Sequence, residues 1–331
     1  MKVLFIGGTG VISSACAELA IQQGIDLYLL NRGQTSDRPI PTAAKTLIGD
    51  IRDIESATAA LAGHEFDVVV EFIAFVPEHI ETDLKLFGGK VRQYIFISSA
   101  SAYQTPPQKL PITEETPLEN RYWQYSRSKI ACEDRLMQAH REDGFPVTIV
   151  RPSHTYDQTK VPLIGRYTTL DRMMKGQQVL LHGDGSSLWT LTHHRDFAQG
   201  FVGLLGNEQA IGEAVHITSD EWLTWNQIYE TLAEAAGVRP KIVYLSSRLI
   251  HAYDHEVGAT LLGDKANNML LDNSKIKRLV PGFEATVPFA EGAKEIVAWY
   301  KADPSRQVVE KSWNQLFDQM VKKVQLIMPI E

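Results

Sequence analysis

Short runs of apolar, often β-branched residues alternate with longer stretches of helical character through the first half of the chain. Six such runs are predicted strands: 3–6, 27–30, 46–48, 68–72, 94–97 and 147–150. The helices between them are predicted at about 11–23, 54–62, 78–87 and 125–141. Strands that are apolar on both faces and alternate with helices form parallel sheets covered on both sides. The pattern therefore predicts an α/β fold of the Rossmann type, a doubly wound parallel sheet with ligands at the carboxyl ends of its strands.

The alternation stops after Arg151-Pro152, where prolines, glycine turns and a stretch rich in Trp, Thr and His predict loops and short elements. The segment 195–205 is predicted to be a helix, and 214–217 is predicted to return to the sheet as one more strand. We therefore expect a dinucleotide-binding domain and a smaller, discontinuous C-terminal substrate lobe. The expected bounds are 1–155 for the domain, with returning elements at about 195–220, and 156–331 for the lobe.

Composition narrows the class of protein. The 331 residues are 44% hydrophobic, enough for a large core, and the formal net charge of −7 argues against nucleic acid or an anionic membrane as partner. The two cysteines, Cys16 and Cys132, form no C-x-x-C pair, so neither a disulfide framework nor a metal site is expected. No apolar run approaches the roughly 20 residues of a membrane span, and no targeting peptide precedes the first strand. We therefore expect a cytoplasmic protein.

A glycine loop follows the first predicted strand. The strand runs into Gly7-Gly8-Thr9-Gly10, and a helix is predicted directly after it. Backbone N–H groups at such a helix start bind a dinucleotide pyrophosphate, and small residues let the phosphates approach closely. The alternative is an ordinary glycine turn between a strand and a helix. The residues expected to contact a cofactor here are Gly7, Thr9, Gly10, Val11 and Ile12.

Polar residues follow the second and third predicted strands, where dinucleotide folds contact the adenosine. A neutral Asn31 and a cationic Arg32 accept a 2′-phosphate, so we expect NADP in preference to NAD. The alternative for Arg32 is a solvent-exposed residue of a polar turn. Asp50 is expected either to bind the adenine amino group or to cap the helix that starts near Asp53. The remaining expected cofactor contacts in this part of the chain are Ile51 and Ile73.

Tyr125 and Lys129 lie four residues apart on a predicted helix and therefore share a face. A free phenol has a pKa of about 10, and a nearby ammonium group lowers the pKa of a tyrosine because it favours the phenolate. The pair is therefore suited to general acid–base catalysis near neutral pH. Tyr156 and Lys160 have the same spacing, but Pro162 interrupts any helix there, and we interpret that second match as chance.

A hydroxyl group is expected beside this pair, at the carboxyl end of a neighbouring strand. The fifth predicted strand ends in Ser98-Ser99-Ala100-Ser101-Ala102-Tyr103, at the edge where ligands bind. A serine there can donate a hydrogen bond to a substrate oxygen and hold it against the tyrosine. The alternative is a serine-rich loop that satisfies its own backbone. Both interpretations stay open for Ser98 and Ser101.

Together these segments resemble the extended and atypical branches of the short-chain dehydrogenase/reductase superfamily, of the NAD(P)-dependent epimerase/dehydratase type. The resemblance runs from Met1 to about Ala236 and includes the glycine loop, the serine segment, Tyr-Ser-Arg-Ser-Lys and Gly183-Asp184-Gly185. It implies that Ser99 is the catalytic serine and Tyr125 the proton donor and acceptor. It also implies that Lys129 binds the nicotinamide ribose.

Three departures from the family pattern bear on the reaction and the substrate. Sugar 4,6-dehydratases of this family carry Asp-Glu after the catalytic serine; Ala100-Ser101 stands there in this chain, so elimination chemistry is not expected. Nucleotide-sugar epimerases place an arginine for the diphosphate after Gly-Asp-Gly, where this chain has Trp189-Thr190. Ser13, in place of a third glycine, and Asn31-Arg32 indicate an atypical subgroup. That subgroup includes proteins similar to the chloroplast stem-loop RNA-binding proteins.

The expected function is that of an NAD(P)-dependent oxidoreductase or epimerase acting on a sugar-like secondary alcohol or ketone. The alternative is a cofactor-binding scaffold or RNA-associated protein with vestigial catalysis, although RNA binding needs a basic surface. We expect a small-molecule partner, with a nucleotide sugar as one candidate, and the resemblance implies a homodimer. The expected substrate contacts are His154, Trp189 and His193, with Trp123 as a further cleft residue, and core packing is the alternative for each.

Overall fold

The computed structural model describes residues 1–33 and 38–327, the last two of these without their side chains. The strands of this part of the chain are β1 Lys2–Ile6, β2 Asp26–Asn31, β3 Lys45–Ile48, β4 Val68–Glu71, β5 Gln93–Ile97, β6 Val147–Pro152, β7 His154–Tyr156, β8 Gln178–His182, β9 Leu188–Trp189, β10 Leu191–His193, β11 Ala214–Ile217, β12 Leu223–Thr224 and β13 Lys241–Leu245. The six strands predicted in the first half are all present, each with its ends within two residues of the prediction.

The helices of the described residues are α1 Val11–Gln22, α2 Ile54–Leu61, α3 Pro77–Phe87, α4 Gln124–Asp143, α5 Tyr167–Met174, α6 His194–Val202, α7 Trp225–Ala236, α8 Ser247–Tyr253, α9 His255–Thr260, α10 Ser274–Leu279, α11 Phe289–Lys301 and α12 Lys311–Ile327. Three short 3₁₀ turns lie at Ala100–Ala102, Glu208–Ala210 and Pro304–Arg306. A π-helical turn, Leu261–Lys265, continues α9.

Seven strands form one parallel sheet in the order β11-β6-β5-β4-β1-β2-β3. Every neighbouring pair in it is parallel. The chain winds outward from β1 in one direction through β2 and β3, and in the other through β4, β5 and β6. The two halves meet between β1 and β4, and open α/β sheets bind ligands at this switch point. The predicted doubly wound fold is therefore confirmed.

Helices cover both faces of the sheet, which explains why its strands are apolar on both sides. On one face, Val3 and Phe5 of β1 pack with α1 and with Phe197 and Phe201 of α6. On the other face, Leu4 of the same strand belongs to the core that α2, α3 and α4 cover. Buried apolar surface on both faces stabilises each strand by about 1.5–3 kcal/mol per large side chain. This is the pattern expected of a parallel sheet.

The last strand of the sheet arrives late in the chain. β11, predicted at 214–217, pairs with β6 in the register Ala214↔Ile149, after the chain has passed through β7 to β10 and α5 and α6. The C-terminal lobe has its own core around Trp189, Trp225 and Tyr229. The division into two parts, with a discontinuous second lobe and a boundary near residue 155, stays a prediction.

Three further observations concern the described residues. No helix among them is long and apolar enough to cross a membrane. No cluster of three or more His, Cys, Asp or Glu side chains among them is placed to hold a metal ion. Cys16 and Cys132 are both buried free thiols.

Candidate cofactor and active site

Two cavities lie along the carboxyl edge of the sheet. The first, here the glycine-loop cavity, has a volume of about 1020 Å³ and is lined by seven of the expected cofactor residues: Gly7, Thr9, Asn31, Arg32, Asp50, Ile51 and Ile73. The second, the tyrosine pocket, has about 530 Å³ and is lined by Ile12, Ser99, Tyr125, Lys129, His154 and Trp189. Phe75 lines both cavities, so they adjoin. The expected cofactor and catalytic residues therefore meet at one edge of the sheet.

The glycine loop requires glycine at two positions. Gly7 and Gly8 adopt φ values of +98° and +119°, which L-residues rarely adopt. A Cβ on Gly8 would also lie 2.8 Å from a methyl carbon of Leu29. The loop therefore brings the chain close to the sheet and delivers it to the start of α1, where first-turn N–H groups have no acceptor within the helix. Such groups suit an anion.

Ser13 accepts a hydrogen bond from one backbone N–H group of the glycine loop. Its Oγ accepts a hydrogen bond of 2.8 Å from the N–H of Gly10, so that N–H is already satisfied within the protein. Gly10 and Val11 are also not among the residues that line the cavity. The N–H of Gly10 is therefore not free to bind an anion, whereas the N–H groups of Val11 and Ile12 lie in the first turn, where the helix supplies no acceptor. The cofactor contacts of all three residues stay predictions.

The end of β2 has the features of a nucleotide contact. The Asn31 Oδ1 accepts a 2.9 Å hydrogen bond from the N–H of Gly33, while its Nδ2 is buried and has no hydrogen-bond partner among residues 1–33 and 38–327. Arg32 is exposed at the cavity and forms no ion pair with a described residue. An orphaned amide donor beside a cation without an acidic partner fits a phosphate or ribose oxygen.

Two further arginines line the same cavity, and sequence reasoning missed both. Arg38 forms a 2.7 Å ion pair with Asp157, which lies beyond β7. Arg52 Nη2 lies 3.1 Å from Glu71 Oε2, at the end of β4. Both charges therefore have acidic partners, in contrast to Arg32. The Glu71–Arg52 pair had a signal in the sequence, since a lone glutamate ends an otherwise all-valine buried strand.

Asp50 does not cap the helix α2. Asp53 does so, because its carboxylate accepts hydrogen bonds from the N–H groups of Glu55 and Ser56 at 3.0 and 3.3 Å. Asp50 instead accepts one from the N–H of Arg52 at 2.9 Å and lines the glycine-loop cavity. The helix-cap alternative for Asp50 is therefore wrong, and the adenine contact stays a prediction.

Lys129 is anchored deep in the tyrosine pocket. It lies on α4 one turn after Tyr125, and its side chain is only 1% exposed. Its Nζ donates hydrogen bonds of 2.7 Å to the carbonyl oxygens of both Ala74 and Ile97, which leaves one of its three N–H donors. Burial lowers the pKa of Lys129 to about 8. The ammonium is therefore fixed in place at the junction of the two cavities.

The pKa of Tyr125 differs from the expectation. Burial raises it to about 12, whereas the neighbouring ammonium was expected to lower it. The Nζ of Lys129 lies 5.8 Å from the centre of the Tyr125 ring, and its N–H groups are directed to the two carbonyls. A hydrogen bond with Ser99 is the contact that lowers the pKa. In the protein alone the phenol is therefore protonated at neutral pH.

The serines divide into two groups. The Ser99 Oγ lies 2.9 Å from the Ser101 Oγ, which in turn accepts a 2.8 Å hydrogen bond from Ser126. These hydroxyls form a chain that ends at Ser99, the residue whose influence lowers the pKa of Tyr125. Ser98 instead donates to the carboxylate of Glu133, away from the tyrosine. Ser101 therefore supports Ser99, while Ser98 has a structural role.

Tyr156 and Lys160, the second Tyr-x-x-x-Lys match, do not share a helix face as Tyr125 and Lys129 do. Tyr156 lies in β7, and its hydroxyl is buried without a partner among the described residues. Lys160 lies in the loop beyond the strand and lines the tyrosine pocket. No helix joins the two, as predicted. The lysine nevertheless belongs to the site, which its spacing from Tyr156 did not predict.

Two of the three expected substrate contacts, His154 and Trp189, line the tyrosine pocket, and His193 does not. The Trp189 indole N–H donates a 3.1 Å hydrogen bond to His154 Nδ1, and both residues line the tyrosine pocket. Because Nδ1 accepts, the proton of a neutral His154 is on Nε2. His193 is fully buried outside both cavities, 3.1 Å from Glu295, and caps α6 by accepting from the N–H of Arg195. The structure therefore favours packing for His193.

The pocket also takes residues from segments that carry no motif. Asp264 and Lys265, on the π-helical turn, line it and are 3.2 Å apart. The Lys265 Nζ lies 5.3 Å from the Trp123 ring, which also lines the pocket, 4.9 Å from the Tyr125 ring. Arg166 lines the rim just before α5. Their order in the sequence gave no signal, because only the fold brings these loops together.

Comparison with known proteins matches this geometry to one family. The sequence profile of the NAD dependent epimerase/dehydratase family matches residues 3–218. The chain is 26% identical over 261 residues to the chloroplast stem-loop binding protein of 41 kDa b from Arabidopsis thaliana, covering 75% of this chain and 66% of that protein. It is 33% identical over 168 residues to a UDP-glucose 4-epimerase from Lactobacillus helveticus, covering 46% of this chain and 51% of the relative. The chain thus spans less than two thirds of either relative.

A solved structure shares the whole fold. The UDP-glucose 4-epimerase of Bifidobacterium longum, crystallised with NAD+ and UDP, superposes with a TM-score of 0.73. The match covers 92% of this chain and all of the epimerase (100%), at 20% sequence identity. That likeness concerns the fold, and the family profile adds the sequence-level match over more than half of the chain. This chain therefore belongs to the NAD dependent epimerase/dehydratase family.

Proposed function

We propose that this protein is an NAD(P)-dependent oxidoreductase or epimerase that acts on a secondary alcohol, or the matching ketone, of a sugar-like substrate. One observation carries the proposal: Ser99, Tyr125 and Lys129 open into a pocket that adjoins the glycine-loop cavity. A scaffold that only holds a cofactor has no need of all three residues. The family membership supports the same class of reaction.

Each of the three residues has a distinct task in this proposal. When bound, a nicotinamide cofactor supplies or accepts the hydride. Tyr125 takes the hydroxyl proton as the alcohol is oxidised and returns it as the ketone is reduced. Ser99 donates a hydrogen bond to the reacting oxygen and holds it at the phenol. Lys129 would hold the cofactor ribose with its remaining N–H, because its other two donors are bound to Ala74 and Ile97.

The raised pKa of Tyr125 makes the rates of oxidation and reduction depend differently on pH. With a pKa of about 12, the phenol is a proton donor, which suits ketone reduction. Oxidation needs the phenolate, and the Ser99 hydrogen bond favours that form. We therefore propose that the oxidative rate rises with pH over the alkaline range, while the reductive rate does not.

We further propose that NADP is the preferred cofactor. Arg32 is the arginine of the cavity without an acidic partner among the described residues, and a 2′-phosphate would supply that partner. Replacing Arg32→Ala should weaken NADP+ binding by about tenfold or more and leave NAD+ binding unchanged. Arg121→Ala, at an exposed site outside both cavities, is the control. Equal losses for the two cofactors would contradict the preference.

The experiment that tests the reaction compares Tyr125→Phe with Tyr122→Phe. NADPH oxidation is followed with a panel of ketone sugars and nucleotide sugars, and cofactor affinity is measured separately. We expect Tyr125→Phe to lose at least about a hundredfold in turnover with cofactor affinity kept, because only the proton-transfer group is missing. The exposed Tyr122 should tolerate the change. Undiminished turnover in Tyr125→Phe would overturn the proposal.

A second candidate, RNA association, is favoured by the similarity to the chloroplast stem-loop binding protein. A filter-binding titration against structured RNA at physiological salt separates the two candidates. Submicromolar binding that weakens with salt would support an RNA role, since phosphate contacts release counterions. The net charge of −7 favours the enzyme.

A further inference from the structure

The tyrosine pocket contains more positively charged side chains than the proposed reaction uses. Four basic side chains line it, Lys129, Lys160, Arg166 and Lys265, against the one lining carboxylate of Asp264. Asp264 is paired with Lys265 at 3.2 Å. Lys129 is bound to two carbonyl oxygens and is assigned to the cofactor. Lys160 and Arg166 are therefore the two cations of the pocket without a partner charge.

Arg166 is held in an unusual backbone conformation. Its φ of 50° makes it the one non-glycine residue with positive φ in the described part of the chain. Gly165 before it has a φ of +75°, and a Cβ there would lie 2.8 Å from the Phe317 ring. The close approach to α12 fixes the turn and sets Arg166 at the pocket rim. Strain of this kind persists where the surroundings enforce it, and it clusters at ligand sites.

The Arg166 guanidinium has no competing acidic partner. It is exposed at the rim and forms no ion pair or side-chain hydrogen bond with the described residues. An arginine presents five N–H donors in a planar fork, which matches the oxygens of a phosphate or a carboxylate. The strained turn thus presents an unpaired anion-binding group to the pocket.

Lys160 faces the same space. The hydrogen bond from its Nζ to the Thr155 carbonyl oxygen is long, at 3.4 Å. The nearby carboxylate of Asp157 is already paired with Arg38 at 2.7 Å. Burial, with the positive charges of Lys265 and Arg166, lowers the pKa of Lys160 to about 8. These cations are therefore close enough to repel one another, and an anion between them would relieve the repulsion.

We infer that Lys160 and Arg166 form an anion subsite that binds an oxyanion, a phosphate or carboxylate group, of the substrate. The inference rests on the proposed function in one respect, that the substrate of Tyr125 occupies this pocket. Trp189, which stands where the family resemblance led us to expect an arginine, is neutral. The positive charge comes instead from the loop before α5, on a different segment of the chain.

The test is a calorimetric titration of the NADP+-saturated protein with four probes: glucose, glucuronate, glucose 6-phosphate and UDP-glucose. We expect at least one anionic probe to bind at least about tenfold more tightly than glucose, and to lose that advantage in Lys160→Gln and in Arg166→Gly. Glycine adopts positive φ without strain, so Arg166→Gly keeps the fold. Lys175→Gln is the control, since Lys175 pairs with Asp171 on α5 outside the pocket.

The probes also identify the source of the oxyanion. Tight binding of glucuronate indicates a carboxylate, of glucose 6-phosphate a terminal phosphate, and of UDP-glucose a diphosphate. The anion subsite is refuted if no anionic probe binds more tightly than glucose. It is also refuted if Lys160→Gln and Arg166→Gly both bind the preferred anionic probe as tightly as the wild type does. Failure of the proposed reaction is separate: it shows as undiminished turnover in Tyr125→Phe, whereas the titration measures binding alone.

Discussion

Removal of the buried arginine behind the active-site helix should destabilise the protein strongly. Arg151, at the end of β6, binds Glu133 on α4 through contacts of 2.6, 3.1 and 3.2 Å, and the two side chains are only 6% and 3% exposed. Arg151→Met leaves the Glu133 carboxylate in the core with the Ser98 hydroxyl as its remaining side-chain partner. An uncompensated buried charge of this kind costs about 3–5 kcal/mol. Helix α4 carries Tyr125 as well as Glu133, so the enzymatic activity should also fall.

A double-mutant cycle measures this effect. Urea unfolding is followed by circular dichroism for Arg151→Met, Glu133→Gln and the pair together. We expect the double variant to recover more than half of the loss, because a neutral amide needs no counter-charge. Arg92→Met is the control, since Arg92 and Glu208 form a pair that is 72% and 78% exposed. The reasoning is refuted if Arg151→Met costs no more than Arg92→Met, or if the second substitution restores nothing.

Three more predictions follow from single positions. Gly8→Ala should lower the unfolding free energy by about 3 kcal/mol, because Gly8 has a φ of +119° and its new Cβ would lie 2.8 Å from Leu29. Gly144→Ala should lower it by only about 1 kcal/mol, because Gly144 has a φ of +68° and open space around it. Equal costs for the two variants would contradict the steric argument. Trp189→Phe removes the donor to His154 and should raise KM about five- to tenfold with cofactor affinity unchanged; an unchanged KM would assign Trp189 to packing. Binding of an anionic probe should weaken up to about tenfold from pH 7 to 9, as Lys160 loses its proton near its pKa of about 8. Lys160→Gln should reduce this dependence to the part that Lys129 contributes, because the pKa of Lys129 is also about 8; a flat wild-type profile, or a variant profile equal to that of the wild type, would contradict it.

The sheet could be predicted closely from the sequence because its signal is local. Runs such as Val68 to Val70 are buried on both faces, so nearly every residue in them is apolar, and glycine or polar residues mark their ends. The returning strand at Ala214–Ile217 was predicted for the same reason. Once the sheet was predicted, its carboxyl edge indicated that Ser99 and Tyr125 lie in one pocket, and both line it.

The rest of the site depends on long-range contacts that a local pattern does not contain. Arg38 and Arg32 are both arginines after β2, yet the fold pairs Arg38 with Asp157 and gives Arg32 no acidic partner among the described residues. Arg166 and Lys265 lie in segments without a motif, and only packing of the second lobe brings them to Tyr125. The pKa of Tyr125 likewise depends on burial, which outweighs the effect of a lysine one turn away.

The late arrival of β11 has a consequence for how the protein is made. A fragment that ended near residue 155 would contain β1 to β6 but would leave the Val147–Pro152 strand at an open edge, with its backbone N–H and C=O groups unpaired. Apolar open edges of this kind pair with other chains and aggregate. On the ribosome, the same edge stays open until Ala214–Ile217 has emerged. The first 155 residues therefore leave one apolar strand edge unpaired until Ala214–Ile217 adds to it.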